Sequence, residues 1–124
     1  MKTDNALTWF EIPVTDMTRA SRFYTRVLGK ELEKQTFGPH ELMVFPYQQP
    51  GVGGCLMSYK ALQPGAQGAV VYLPVADGLD SALTRVTQAG GRIALGRTEL
   101  PGDMGCYAHV IDTEGNRVGL HAAN

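Results

Sequence analysis

The chain has 124 residues, 44% of them hydrophobic and 19% charged, with a net charge of −1. That length suits one domain with a core of its own. The near-neutral charge, without any Lys/Arg run, speaks against nucleic acid or an anionic membrane as partner. No apolar run approaches the ~18 residues of a membrane span, and the opening MKTDNALTWFEIPV is too polar for a signal peptide, so a cytoplasmic protein is expected. Cys55 and Cys106 are the only cysteines. Their spacing matches no zinc motif, and in a reducing compartment they read as small buried apolar residues.

The first predicted element is a strand in which Phe10, Ile12 and Val14 share one face and Trp9, Glu11 and Pro13 the other. A period of two fits a half-buried strand. A helix follows, with Ala20, Phe23, Tyr24, Val27 and Leu28 in the i, i+3, i+4 stripe that faces a core. Asp16 or Thr18 can cap its start, and Gly29 suits the left-handed residue beyond its end. Three short strands are expected at about 30–36, 41–46 and 53–60. The Gly/Pro-rich LQPGAQG then reads as a linker.

The pattern then repeats. LPVAD (73–77) echoes IPVTD (12–16), and TRV recurs at 25–27 and 84–86. Val71, Leu73 and Val75 form one strand face, with Val70, Tyr72 and Pro74 opposite. Leu79, Ala82, Leu83, Val86 and Gly90 repeat the helix stripe. Strands follow at about 91–97, 105–111 and 116–121. The chain is therefore one domain of two tandem βαβββ modules, at about 7–60 and 69–122, joined by a linker at about 61–68. The fold class is α+β, with helices on one face of a mixed sheet. The glycine-rich stretches PYQQPGVGG and LPGDMG suggest mobile rims.

The last two strands form a hairpin closed by DTEGN. If Ile111 faces Arg117, then His109 faces Gly119 and Tyr107 faces His121. Ala108, Val110, Val118 and Leu120 then suit the helix side. Tyr107, His109, Gly119 and His121 point to the open face, joined by Trp9, Glu11, Val70 and Tyr72 from the two module-initial strands. These eight residues are the expected ligand-binding set, because small-molecule sites are mostly apolar and aromatic with few polar groups. Gly119 stands out, since a mid-strand glycine weakens a strand.

WFEIPVTDMTRASRFYTRVLG, LPVADGLDSALTRVTQAGG and HVIDTEGNRVGLH together resemble the two modules of the vicinal oxygen chelate superfamily. That superfamily includes glyoxalase I, bleomycin and fosfomycin resistance proteins, and extradiol dioxygenases. The resemblance covers nearly the whole chain. It implies a cup in which metal-dependent members hold a divalent Lewis acid. The family's ligand positions fall on Trp9, Val70, Gly119 and, with looser alignment, Leu56 or Ser58. None is a good ligand, so no metal is expected at these places and no other cofactor is implied.

The leading expectation is thus a small organic molecule bound in an aromatic and polar cup without the usual metal, as the resemblance to bleomycin resistance proteins suggests. The alternative is a lyase, isomerase or dioxygenase of the same superfamily. It would use a displaced metal site made by His109, His121 and Glu11, or metal-free acid–base chemistry. In the metal-free case Glu11, buried beside aromatics, is the base, and His121 or His109 is the acid. The resemblance also implies a homodimer.

Overall fold

The computed structural model describes residues 4–124; residues 1–3, the start of the polar N-terminal stretch, lie outside it. The elements run β1 (Trp9–Pro13), α1 (Met17–Leu28), β2 (Glu33–Phe37), β3 (His40–Val44), β4 (Gly53–Met57), β5 (Tyr72–Pro74), α2 (Leu79–Gln88), β6 (Arg92–Glu99), β7 (Cys106–Ile111) and β8 (Arg117–Ala122). This is βαβββ twice. Each module makes a four-stranded mixed sheet, ordered β1-β4-β3-β2 in the first and β5-β8-β7-β6 in the second. The module-initial strand lies at an edge in both cases and pairs in parallel with the module's last strand.

The hairpin register is the expected one. Ile111 faces Arg117, His109 faces Gly119 and Tyr107 faces His121. Ala108, Val110, Val118 and Leu120 are accordingly buried on the helix side. Of the two capping residues considered, Asp16 is the one used, accepting from the Arg19 N–H at 3.0 Å. Gly29 ends α1 at φ 71°, a left-handed conformation that costs a glycine little.

α1 buries Ala20, Phe23, Tyr24 and Val27, and α2 buries Leu79, Ala82, Leu83 and Val86. Both stripes join the inner faces of both sheets in one continuous apolar cluster. Full burial of each large side chain contributes about 1.5–3 kcal/mol. The helices are also tied to each other: Arg85 donates to the Val27 carbonyl at 2.9 Å, and Arg26 to the Gln88 side chain at 3.0 Å.

The DTEGN turn does more than reverse the chain. Asp112 and Asn116 are its two buried polar residues. Asp112 accepts from the backbone N–H groups of Glu114 and Asn116, and from the Tyr24 hydroxyl at 2.5 Å. Asn116 donates to the Pro13 carbonyl at 2.7 Å and accepts from the Gly65 N–H in the linker. Glu114 accepts from the N–H groups of Thr15 and Asp16 and from the Arg19 guanidinium. A turn of the second module therefore grips the β1–α1 junction of the first. Burial alone would raise the Glu114 carboxyl, but Arg19, Asp16 and Thr15 together hold it at about 2. Burial, and then the adjacent Asp112, push the Tyr24 phenol well above its ordinary range.

Candidate functional site

Beyond the helices, the outer face of the second sheet carries Tyr72 on β5, Tyr107 and His109 on β7, and Arg117, Gly119 and His121 on β8. Three of these rings cluster. Tyr72 lies 5.9 Å from Tyr107 and 5.5 Å from His109, centroid to centroid, both edge-on. The Tyr72 hydroxyl meets His109 Nε2 at 2.7 Å, and Arg117 Nη1 meets His109 Nδ1 at 2.8 Å. Burial, and then the Arg117 charge, hold the His109 imidazole below its ordinary value.

Gly119 makes this cluster possible. Tyr72 and Gly119 are direct partners on the parallel β5–β8 pair. A Cβ built on Gly119 would stand 2.3 Å from Tyr72 Cδ2 and 2.4 Å from Cε2. The phenol ring lies flat across the glycine and so reaches His109 one strand further on. The same device recurs in the first module, where Gly53 and Gly54 underlie the rings of Tyr47 and Phe10.

A cleft of about 600 Å³ opens where the free β5 edge meets the β1 side of the first sheet. Phe10, Phe45, Tyr47, Val70, Val71 and Tyr72 supply much of its wall. Phe10 and Phe45 are fixed from behind by their own contact at 5.5 Å and by the Phe45–Tyr24 contact at 5.4 Å. Val70 and Tyr72, both expected from sequence, line this cleft. Tyr107 and His109 stand behind Tyr72. Trp9 packs edge-on against Tyr47 at 6.0 Å and lines a neighbouring hollow instead. Phe10, Phe45 and Tyr47 were not expected. The signal for Tyr47 and Phe10 was the Gly53–Gly54 pair, two consecutive strand positions without side chains.

Several expectations need correction. Glu11 is exposed rather than buried among aromatics, because β1 is an edge strand whose outer face is uncovered. It forms no ion pair with Arg117 among the described residues, since Arg117 turns to His109. Glu11 and His121, expected as an acid–base pair, stand on different sheets, and no hydrogen bond or ion pair joins them. His121 instead donates from Nε2 to the Met104 carbonyl at 2.7 Å, anchoring the loop that was expected to be a mobile rim. The first module's counterpart of Gly119 is Cys55 rather than Leu56 or Ser58. Glu11 faces Cys55 on the β1–β4 pair as Tyr72 faces Gly119 on β5–β8, whereas Leu56 points into the main core and Ser58 is exposed.

The four equivalent positions are then Trp9, Val70, Cys55 and Gly119. Their chemistry does not fit a divalent ion. Three have no donor side chain to offer, and Cys55 is a fully buried thiol pushed up by burial and by the nearby Glu11 charge. A protonated thiol is a poor ligand. The displaced trio of Glu11, His109 and His121 is not assembled either. Among the described residues no group of three or more His, Cys, Asp or Glu side chains is disposed to hold a metal ion. No helix among them is long and apolar enough to cross a membrane.

Comparison with known proteins places these features in a family. The model of the Glyoxalase/Bleomycin resistance protein/Dioxygenase superfamily matches residues 6–120. Among solved structures, the chain is similar to TnmS3, an antibiotic binding protein from Streptomyces sp. CB03234. Identity is 22% over 98% of either chain, with a TM-score of 0.71. A glyoxalase/bleomycin resistance protein from the same organism is 24% identical over 92% of this chain and 97% of its own, with a TM-score of 0.69. Glyoxalase I from Zea mays is 22% identical over 94% of this chain, with a TM-score of 0.66, but only 46% of its own length is covered. The chain thus spans about half of the maize enzyme. No curated protein matches the chain in sequence. The extent of the family match and the paired βαβββ modules lead to one assignment: the chain belongs to the glyoxalase/bleomycin resistance protein/dioxygenase superfamily.

Proposed function

We propose that this protein binds a small, largely apolar organic molecule in the cleft between its two modules, without the divalent metal used elsewhere in the superfamily. The observation that carries this reading is the cleft itself. Its volume, about 600 Å³, falls within the ~300–1,000 Å³ typical of small-ligand sites. Its wall presents the aromatic rings of Phe10, Phe45, Tyr47 and Tyr72, which suit a planar partner through offset or edge-on contacts. The poor ligand chemistry of Trp9, Val70, Cys55 and Gly119 supports binding over metal-assisted turnover. The likeness to a protein described as antibiotic binding points the same way.

A thermal-shift screen of planar two- and three-ring aromatics tests this. A compound present at about a hundredfold its Kd stabilises the native state by about 2.7 kcal/mol. For a domain of this size that raises Tm by on the order of 10 °C. Val70→Trp, which places an indole in the cleft, should remove the shift while leaving the protein folded. A melting temperature unmoved by the whole panel would refute the reading.

A further inference from the structure

The wall of the cleft is largely apolar, and one residue in it breaks the pattern. Lys30 is the single charged residue among those that line it. The end of α1 puts it there. Gly29 turns left-handed at φ 71°, its N–H returning to the Thr25 carbonyl, and Leu28 and Lys30 on either side of it both border the cleft. Lys30 is exposed, and no hydrogen bond, ion pair or ring contact engages its ammonium among the described residues.

The acidic residues beside the wall in sequence are all turned elsewhere or already paired. Glu11 follows Phe10 on β1 and so takes the opposite face of that strand. Glu31 lines a separate hollow with Arg22, Arg26 and Lys34. Asp77, next to Ala76 of the wall, accepts from Arg85 at 2.7 Å. The cleft therefore borders one cation, and no carboxylate in its wall balances it. A charge beside low-dielectric walls is screened less than one on an open surface, and its field is focused into the cleft.

We propose that Lys30 makes the cleft selective for planar apolar molecules that carry one anionic oxygen group, over neutral molecules of the same shape. This deepens the cleft reading and rests on it. The aromatic wall holds the apolar body, and the ammonium meets the anion where α1 ends. A lysine is a point charge on a flexible stem, so it asks for an anion there without fixing a bidentate geometry. Because Lys30 is exposed, the anion keeps part of its water, and the cost of desolvating the pair stays small.

2-Naphthoate and 2-naphthamide share one shape and differ in charge, and titration calorimetry at about 20 mM and about 500 mM NaCl compares them. At low salt the naphthoate should bind about fivefold more tightly, as a charge-assisted contact at a partly exposed site allows. At high salt that preference should shrink to about twofold or less, while the naphthamide affinity holds. Lys30→Gln should remove the preference at low salt, and Lys30→Arg should keep it. Val70→Trp should abolish binding of both probes, which ties the effect to the cleft. Equal affinities in the unmodified protein, or a preference that survives Lys30→Gln, would overturn the role of Lys30 and leave the cleft reading standing. If neither probe binds, or if Val70→Trp leaves both affinities unchanged, the cleft reading falls and the selectivity with it.

Discussion

Gly119→Ala is the sharpest perturbation available, because a single methyl group collides with a single ring. The new Cβ would sit 2.3, 2.4 and 2.8 Å from three atoms of Tyr72, including the ring carbon nearest the backbone. The whole ring must swing away. It then loses the hydrogen bond to His109, worth about 1 kcal/mol, and edge contacts to Tyr107 and His109, worth about 0.5–1.5 kcal/mol in all. Against this, alanine stabilises a strand interior by roughly 0.5–1 kcal/mol relative to glycine. The net loss is about 1 kcal/mol, too small to be diagnostic by itself. A double-mutant cycle is diagnostic. With Tyr72→Ala in place there is no ring to displace, so Gly119→Ala should stabilise by about 0.5–1 kcal/mol. The coupling between the two positions is then about 1.5–2 kcal/mol. Urea unfolding at neutral pH, followed by circular dichroism, measures all four corners. Equal effects of Gly119→Ala in both backgrounds, within about 0.5 kcal/mol, would show that Tyr72 does not rest on the glycine.

Two further predictions concern the grip of the DTEGN turn. Glu114 sits at about 2 in the folded protein against an ordinary 4.5. Its contribution is therefore fully present above pH 4.5 and is lost as pH falls toward 2. The shift corresponds to about 3 kcal/mol, reduced to about 2 because Arg19 is half exposed to solvent. Glu114→Gln should cost that much at pH 7 and almost nothing near pH 2; a cost that does not depend on pH would refute the assignment. Tyr24→Phe removes the hydroxyl bound to the buried Asp112 carboxylate and should cost about 2 kcal/mol in urea unfolding. A change below about 0.5 kcal/mol would mean that Asn116 and the turn N–H groups satisfy Asp112 unaided.

Much of this architecture is legible in the sequence, for reasons that can be named. The echo of IPVTD in LPVAD announces the duplication. CYAHV alternates between buried and half-buried positions, so the face that Tyr107 and His109 share follows from parity, and the turn DTEGN then suggests the register. GGCLM shows the limit of that rule. All five of its residues are buried, and buried side chains on both faces leave no parity by which to tell Cys55 from Leu56 or Ser58. Glu11 marks a different limit. Alternation tells which face a residue takes, but whether that face is covered depends on where the strand lies in the sheet. The cleft wall was the least legible part. Phe10 and Phe45 belong to the core by pattern, and only the gap beside the short β5 strand turns them into a surface.

The two copies of the repeat have come to divide their labour. Much of the fastening falls to the β7–β8 turn, beside the helix ties made by Arg85 and Arg26. The corresponding loop of the first copy, between β3 and β4, sends no side-chain hydrogen bond to the other module among the described residues, and it supplies Tyr47 to the cleft. Phe45 roots that loop in the core, while residues 47–51 are exposed. On the proposed function, specificity can vary there while the opposite turn ties the modules, so a duplication that began as symmetry ends as a fixed latch and an adjustable wall.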